Sequence, residues 1–255
     1  MAGPLPGAEL TLNHDSSHPP FEWSVGIPSD WAMVDTAPAT WRVSAERLID
    51  FKFGGRKLPA AERRTVFGWI EHIVAESQRA GTILCVMQFG KLSTGELGSA
   101  GVHLLWHDTG DKPAGLDQVR DMLPENADTT LLETRTGAAI LAQDRSSLIP
   151  PGFRTRVSMQ NYQIFLPVPG TTWMLLLSSA TAQPEMERVT YEVISAMAHS
   201  VLTATPDAPA ESGSDSADSA GDGFVAVDKP SAPGVARGFG TLVQRRSPSG
   251  EAEHG

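Results

Sequence analysis

An α+β domain is the fold class this sequence predicts. The expected form is a mainly antiparallel central sheet flanked by helices, with disordered N- and C-terminal tails. Three observations predict it. Two amphipathic helical patterns, one near 60–80 and one beginning at Pro184, bracket a run of strand-like segments. Those segments read as hairpins, which are antiparallel by construction. Past about Thr203 the composition needed for a packed core disappears.

In chain order, residues 1–19 are rich in Pro, Gly, Ser and His with few apolar anchors, and read as a flexible arm. Phe21 to Val34 reads as two short strands, FEWSVGIP and WAMVD, broken at the turn formers Pro28, Ser29 and Asp30. Trp41 to Phe53 fits a short helix or a bent strand equally well. Pro59 at a first helical position, a face of Val66, Trp69, Ile70, Ile73 and Ser77, and an exit at Gly81 predict a long amphipathic helix. Thr82 to Phe89 is apolar on both faces, which predicts a central strand covered on both sides.

Gly101 to His107 reads as a further strand, and Leu116 to Leu123 as a short helix stopped by Pro124. Thr129 to Ala142 reads as a hairpin turning at Thr136-Gly137. Arg154 to Val168 with Thr172 to Ser179 makes a second hairpin. Pro184 opens the last helix, whose Met186, Val189, Val193, Met197 and Val201 recur at three- and four-residue spacing as an expected buried stripe. The folded domain is therefore expected over 20–203, an acidic disordered linker over 204–233, and a C-terminal tail with a short apolar and basic motif over 234–255.

A chain of 255 residues has room for one large domain or two small ones. Its net charge of -10 argues against a general nucleic-acid or anionic-membrane surface, since both need clustered Lys and Arg. The single cysteine, Cys85, rules out an intrachain disulfide and sits in the apolar run TILCVMQF, where an inert buried thiol is expected. The longest apolar runs, Trp173 to Leu177 and Ile83 to Met87, are far shorter than the ~20 residues of a spanning helix. The first twenty residues lack the basic start and apolar core of a secretory signal, so a cytoplasmic location is the expectation.

The residue types that carry chemistry each meet a plainer account. His103 and His107, in HLLWHD, have the spacing of a helical metal site. Their apolar, β-rich flanks put them on a strand, where four residues span ~13 Å, too far for one zinc. His14 and His18 lie in the arm, and Glu71-His72 has no second histidine four residues away. Ser93 and Ser99 lack the G-x-S-x-G setting of an activated serine, and Gly90-Lys91 is followed by Leu92 rather than Ser or Thr. Gly238-Phe239-Gly240 lacks a third glycine, and Gly54-Gly55-Arg56-Lys57 reads as a turn before a helix. Glu185 and Glu187 sit at a helix start, where they complement its dipole. No catalytic residue, cofactor site or metal site is expected.

The C-terminal motif is the exception. Phe239, Leu242 and Val243 beside Arg245 and Arg246 form an apolar and basic island beyond an acidic spacer. A tethered segment of that kind acts at high effective concentration, and it has the character of a strand that adds to a sheet edge, in cis or in trans. These five residues are the candidate partner-binding set.

Three stretches carry a family resemblance: FEWSVGIPSDW, with a strand ending at Pro28 and Trp31 opening the next; Gly81 between a long helix and a strand; and the closing hairpin Phe165 to Leu177 with PVPG before its second strand. Over about residues 20–203 the chain resembles the PsbP-like superfamily, an α/β/α sandwich also seen in the Ran-binding Mog-one protein and small bacterial lipoproteins. The resemblance implies a non-enzymatic bacterial module that binds an unidentified protein partner or assists assembly, in the setting of a specialised secretion system. An enzyme or a small-ligand-binding domain is the alternative.

Overall fold

Pro28 ends the first strand, and the amide of Trp31 closes a turn on its carbonyl at 3.0 Å, so the chain changes direction here. The structure, a computed structural model, describes residues 16–54, 58–125, 127–148, 156–204, 225–227 and 239–244. The strands on either side of that turn, β1 (Trp23–Pro28) and β2 (Ala32–Val34), belong to different sheets. Next come α1 (Trp41–Lys52), α2 (Ala60–Ala80), β3 (Leu84–Lys91), β4 (Leu97–Asp108), α3 (Leu116–Met122), β5 (Asp128–Glu133) and β6 (Ala138–Leu148). Then follow β7 (Val157–Pro167), β8 (Trp173–Thr181), α4 (Pro184–Ser200), β9 (Leu202–Thr203), β10 (Val225–Val227) and β11 (Phe239–Gln244).

Among the described residues, seven strands form the main sheet in the order β2-β3-β4-β8-β7-β6-β5, and every pairing is antiparallel. With helices on both faces this is the expected α/β/α sandwich. On one face α4 and β1 cover Val86, Val102, Leu104, Ile164, Leu175 and Leu177. On the other, α1 and α2 cover Cys85, Met87 and Phe89, while α3 covers Ile140, Phe165 and Met174. The second sheet, β10-β11-β1-β9, is also antiparallel.

The long helix α2 buries Val66, Ile70, Val74 and Ser77, spaced four, four and three apart. It ends because Gly81 takes a left-handed conformation (φ 67°), which only glycine adopts without strain. Pro59 stands one position before the helix, as its N-cap. The α2 layer approaches β4 closely at Gly101, where a β-carbon would lie 3.2 Å from Ile73 Cδ1.

Several expectations need correction. β3 is not central but second from the edge, beside the three-residue β2. Its apolar character on both faces reports the layers above and below it, not its place in the sheet. The buried face of α4 is wider than the expected stripe: Met197 and Val201 are fully buried as expected, Thr190, Ile194 and Ala198 join them, and Met186, Val189 and Val193 pack against the same core while partly exposed. Trp41 to Lys52, open between helix and strand, is a helix that buries Trp41, Ala45, Leu48 and Ile49. Beyond the expected domain end at 203, β10 and β11 are strands. Of the flexible arm expected over 1–19, residues 1–15 lie outside the described residues, whereas Ser16 is buried, its hydroxyl donating to the carbonyl of Thr82 at 3.4 Å. Of the disordered linker expected over 204–233, the described residues are Ala204 and β10, which is a strand.

Candidate functional site

β1 reads WSVGIP, with large apolar residues alternating with Ser24 and Gly26, and all six are buried. Alternation puts Trp23, Val25 and Ile27 on one face, in the core shared with α4. There the Trp106 ring meets Trp23 edge-on at 5.5 Å and Phe21 at 5.8 Å. One edge of β1 is satisfied locally. β9 pairs at Trp23 and Ser24, and the amide of Gly26 then donates to Ser200 Oγ at 2.7 Å. That hydroxyl donates in turn to the carbonyl of Met197 at 2.6 Å, tying the strand to the end of α4.

The other edge of β1 is filled from far along the chain. After residues 204–238 the polypeptide returns as β11 and pairs antiparallel along the whole strand, from Trp23↔Gln244 to Pro28↔Phe239. Three of the candidate partner-binding residues are thereby placed: Phe239 opposite Pro28, Leu242 opposite Val25, and Val243 opposite Ser24. Arg245 and Arg246 lie outside the described residues. The strand addition foreseen for this motif is made here in cis.

A second constellation brings together residues that are distant in sequence. Ser77 Oγ on α2 lies 2.9 Å from Nδ1 of His103 on β4, and Cys85 is the cross-strand partner of His103. Burial pushes the Cys85 thiol up to about 12, an effect the Ser77 hydroxyl partly offsets. Burial also draws His103 down to about 4, with Glu76 opposing the shift and His72 adding to it. Serine, histidine and cysteine in contact invite a nucleophile reading. However, Ser77 is fully buried and Cys85 is 1% exposed, so neither can meet a substrate. The group is a polar tie between helix and sheet.

The other sequence candidates do not converge. His107 is exposed at the end of β4, opposite Met174, whereas His103 is opposite Ser178. Among the described residues no three His, Cys, Asp or Glu side chains gather around one point. Glu185 accepts from both the amide and the hydroxyl of Ser93, at 3.1 and 2.9 Å, so it anchors the β3–β4 turn. Glu187 is held by Arg145 at 2.9 Å. His18 pairs with the carbonyl of Ser16, while His14 and the residues 55–57 lie outside the described part. A shallow open depression beside α3, lined by Lys112, Pro113, Leu116 and Arg120, brings no set of reactive groups together. Among the described residues no helix is long and apolar enough to cross a membrane.

Sequence reasoning found the strand-like C-terminal motif but not its acceptor. The available signal was the small-residue alternation of WSVGIP, a strand that can be covered closely on both faces. Compared with known protein families, curated proteins and solved structures, the chain matches none.

Proposed function

We propose that this chain is a non-enzymatic protein-interaction module, an assembly accessory that accepts an extended segment along β1, with its own β11 as the resident occupant. One observation carries the reading: the six-residue antiparallel register of β1 with a segment that returns after residues 204–238. Strand addition draws its affinity from main-chain hydrogen bonds, so another extended chain competes for the same edge. A tethered occupant holds that edge at the effective concentration its connection sets, and a partner must exceed it. Displacement exposes the edge of a strand whose side chains are already locked in the core, so the acceptor is preorganised.

The PsbP-like resemblance, kept as a proposal, points the same way, toward partner binding or assembly and away from catalysis. A cytoplasmic bacterial setting, near a secretion system, belongs to the same proposal. The single cysteine, free and buried, suits a reducing compartment.

The test uses the full chain carrying Leu242→Pro, which removes a ladder donor from β11. The amides of Trp23, Val25 and Ile27, on the β11 edge, should exchange faster in this variant, whereas Gly26, bonded to Ser200 on the other edge, should not. A synthetic peptide of residues 237–246 added in trans should restore the lost protection. Purification of both forms from native cells should then recover a partner preferentially on the variant. If the peptide leaves exchange at Val25 and Ile27 unchanged, β1 is not a strand acceptor and the proposal fails.

A further inference from the structure

The main sheet offers a second edge, distinct from that of β1. β5 closes the main sheet, pairing with β6 alone among the described residues. Five of its six residues are exposed, Leu132 being the exception. An apolar cross-strand row runs from β4 toward it: Leu105↔Leu176, Leu176↔Phe165, Phe165↔Ile140 and Ile140↔Leu131. Phe165 and Ile140 in that row are each 4% exposed, yet Leu131 at its end is 54% exposed. The row stops at the edge with a large side chain in water. Met122, on the helix that covers this face, is exposed as well, at 53%.

The charges at this edge have one sign. Asp128 and Glu133 stand at the two ends of β5, and exposed Asp121 and Glu125 precede it. Among the described residues Asp121, Glu125 and Glu133 form no ion pair, and Asp128 accepts only from the neutral amide of Gln143 at 2.7 Å. Arg120 is already engaged with Asp117, leaving Arg135 in the following turn as the nearest cation in sequence. A second copy does not suit this edge. Antiparallel pairing of β5 with itself sets Asp128 against Glu133 at both ends, and like charges directly opposite repel.

We infer that β5 is a docking edge for an extended basic segment of another protein, added antiparallel as an eighth strand. Register defines its pattern. A basic residue faces Glu133, an apolar residue faces Leu131 and extends the cross-strand row, and a second basic residue faces Asp128. From N- to C-terminus this reads basic–x–apolar–x–x–basic. The main-chain ladder supplies affinity, and the two charge pairs with the apolar contact supply selectivity.

The experiment titrates isotope-labelled full-length protein with the hexapeptide KTVTTK and its acidic twin ETVTTE, following amide chemical shifts. The basic peptide should shift residues 128–133 and their β6 partners, and the acidic twin should bind about tenfold more weakly or not at all. Leu131→Thr, at an exposed site, should leave the unfolding midpoint unchanged and weaken binding about fivefold. The double variant Asp128→Lys with Glu133→Lys should reverse the preference between peptides. Equal binding of both peptides, shifts located elsewhere, no binding at all, or concentration-dependent dimerisation with shifts at β5 would each overturn the inference.

Discussion

Ser77, near the end of α2, places its hydroxyl 2.9 Å from Nδ1 of His103, on a strand 26 residues further along the chain. That contact fixes the helix against the sheet two residues from Gly101, where a β-carbon would lie 3.2 Å from Ile73 Cδ1. It also leaves a histidine largely out of water. The imidazole is held neutral because its surroundings solvate a charge poorly.

His103 therefore makes stability depend on pH with a definite sign. Its folded value, about 4, lies below the ordinary 6.5, so the unfolded chain takes up a proton that the folded chain refuses. The contribution is fully present above pH 6.5, declines as pH falls toward 4, and is flat below. Its size is roughly 1–3 kcal/mol, allowing for the partial exposure of the ring. Urea unfolding of wild type and His103→Asn at a series of pH values should show wild type losing that much more between pH 6.5 and 4. Parallel curves would remove the burial argument.

Cys85 should be silent in the native state. A thiol raised to about 12 carries a thiolate fraction of only ~10⁻⁴ at pH 8, and it is almost completely covered. Reaction with an aromatic disulfide reagent should proceed at the rate of unfolding and accelerate with denaturant. Rapid labelling without denaturant would mean that α2 lifts from β3 and β4 far more easily than its packing implies.

Ser200→Ala should cost about 1–3 kcal/mol, although the change removes a single oxygen. The amide of Gly26 is buried and donates to that oxygen, so the variant strands a donor. Equilibrium unfolding measures the loss, and amide exchange at Gly26 locates it. A cost near zero would show that water reaches the edge of β1.

Trp106 separates ring packing from hydrogen bonding. Its indole Nε1 is buried without a hydrogen-bond partner among the described residues, while the ring packs edge-on against Phe21 and Trp23. Trp106→Phe gives up volume but also removes that donor, so it should cost less than about 1.5 kcal/mol, against about 3–5 kcal/mol for Trp106→Ala. A loss well above about 1.5 kcal/mol in Trp106→Phe would show that the nitrogen is hydrogen-bonded.

The candidate sites were unevenly legible. The strand character of Phe239 to Val243 could be read from composition, because an apolar cluster after an acidic stretch is a local property. Its register on Trp23 to Pro28 could not, since nothing near either segment names the other. Leu131 illustrates the same limit. The run DTTLLE reads as a strand anywhere, and only its terminal place beside β6 makes it an open edge.

Periodicity along the chain determined most of the elements and the antiparallel hairpins, because a side chain's face in a helix or strand follows from its position alone. The tertiary structure decided the rest. It split β1 and β2 between two sheets, moved β3 off the centre, widened the buried face of α4 to include Thr190, Ile194 and Ala198, and joined Ser77 to His103. These outcomes depend on which surfaces meet, a sum of many weak contacts between residues far apart in the chain, and no local pattern contains that sum.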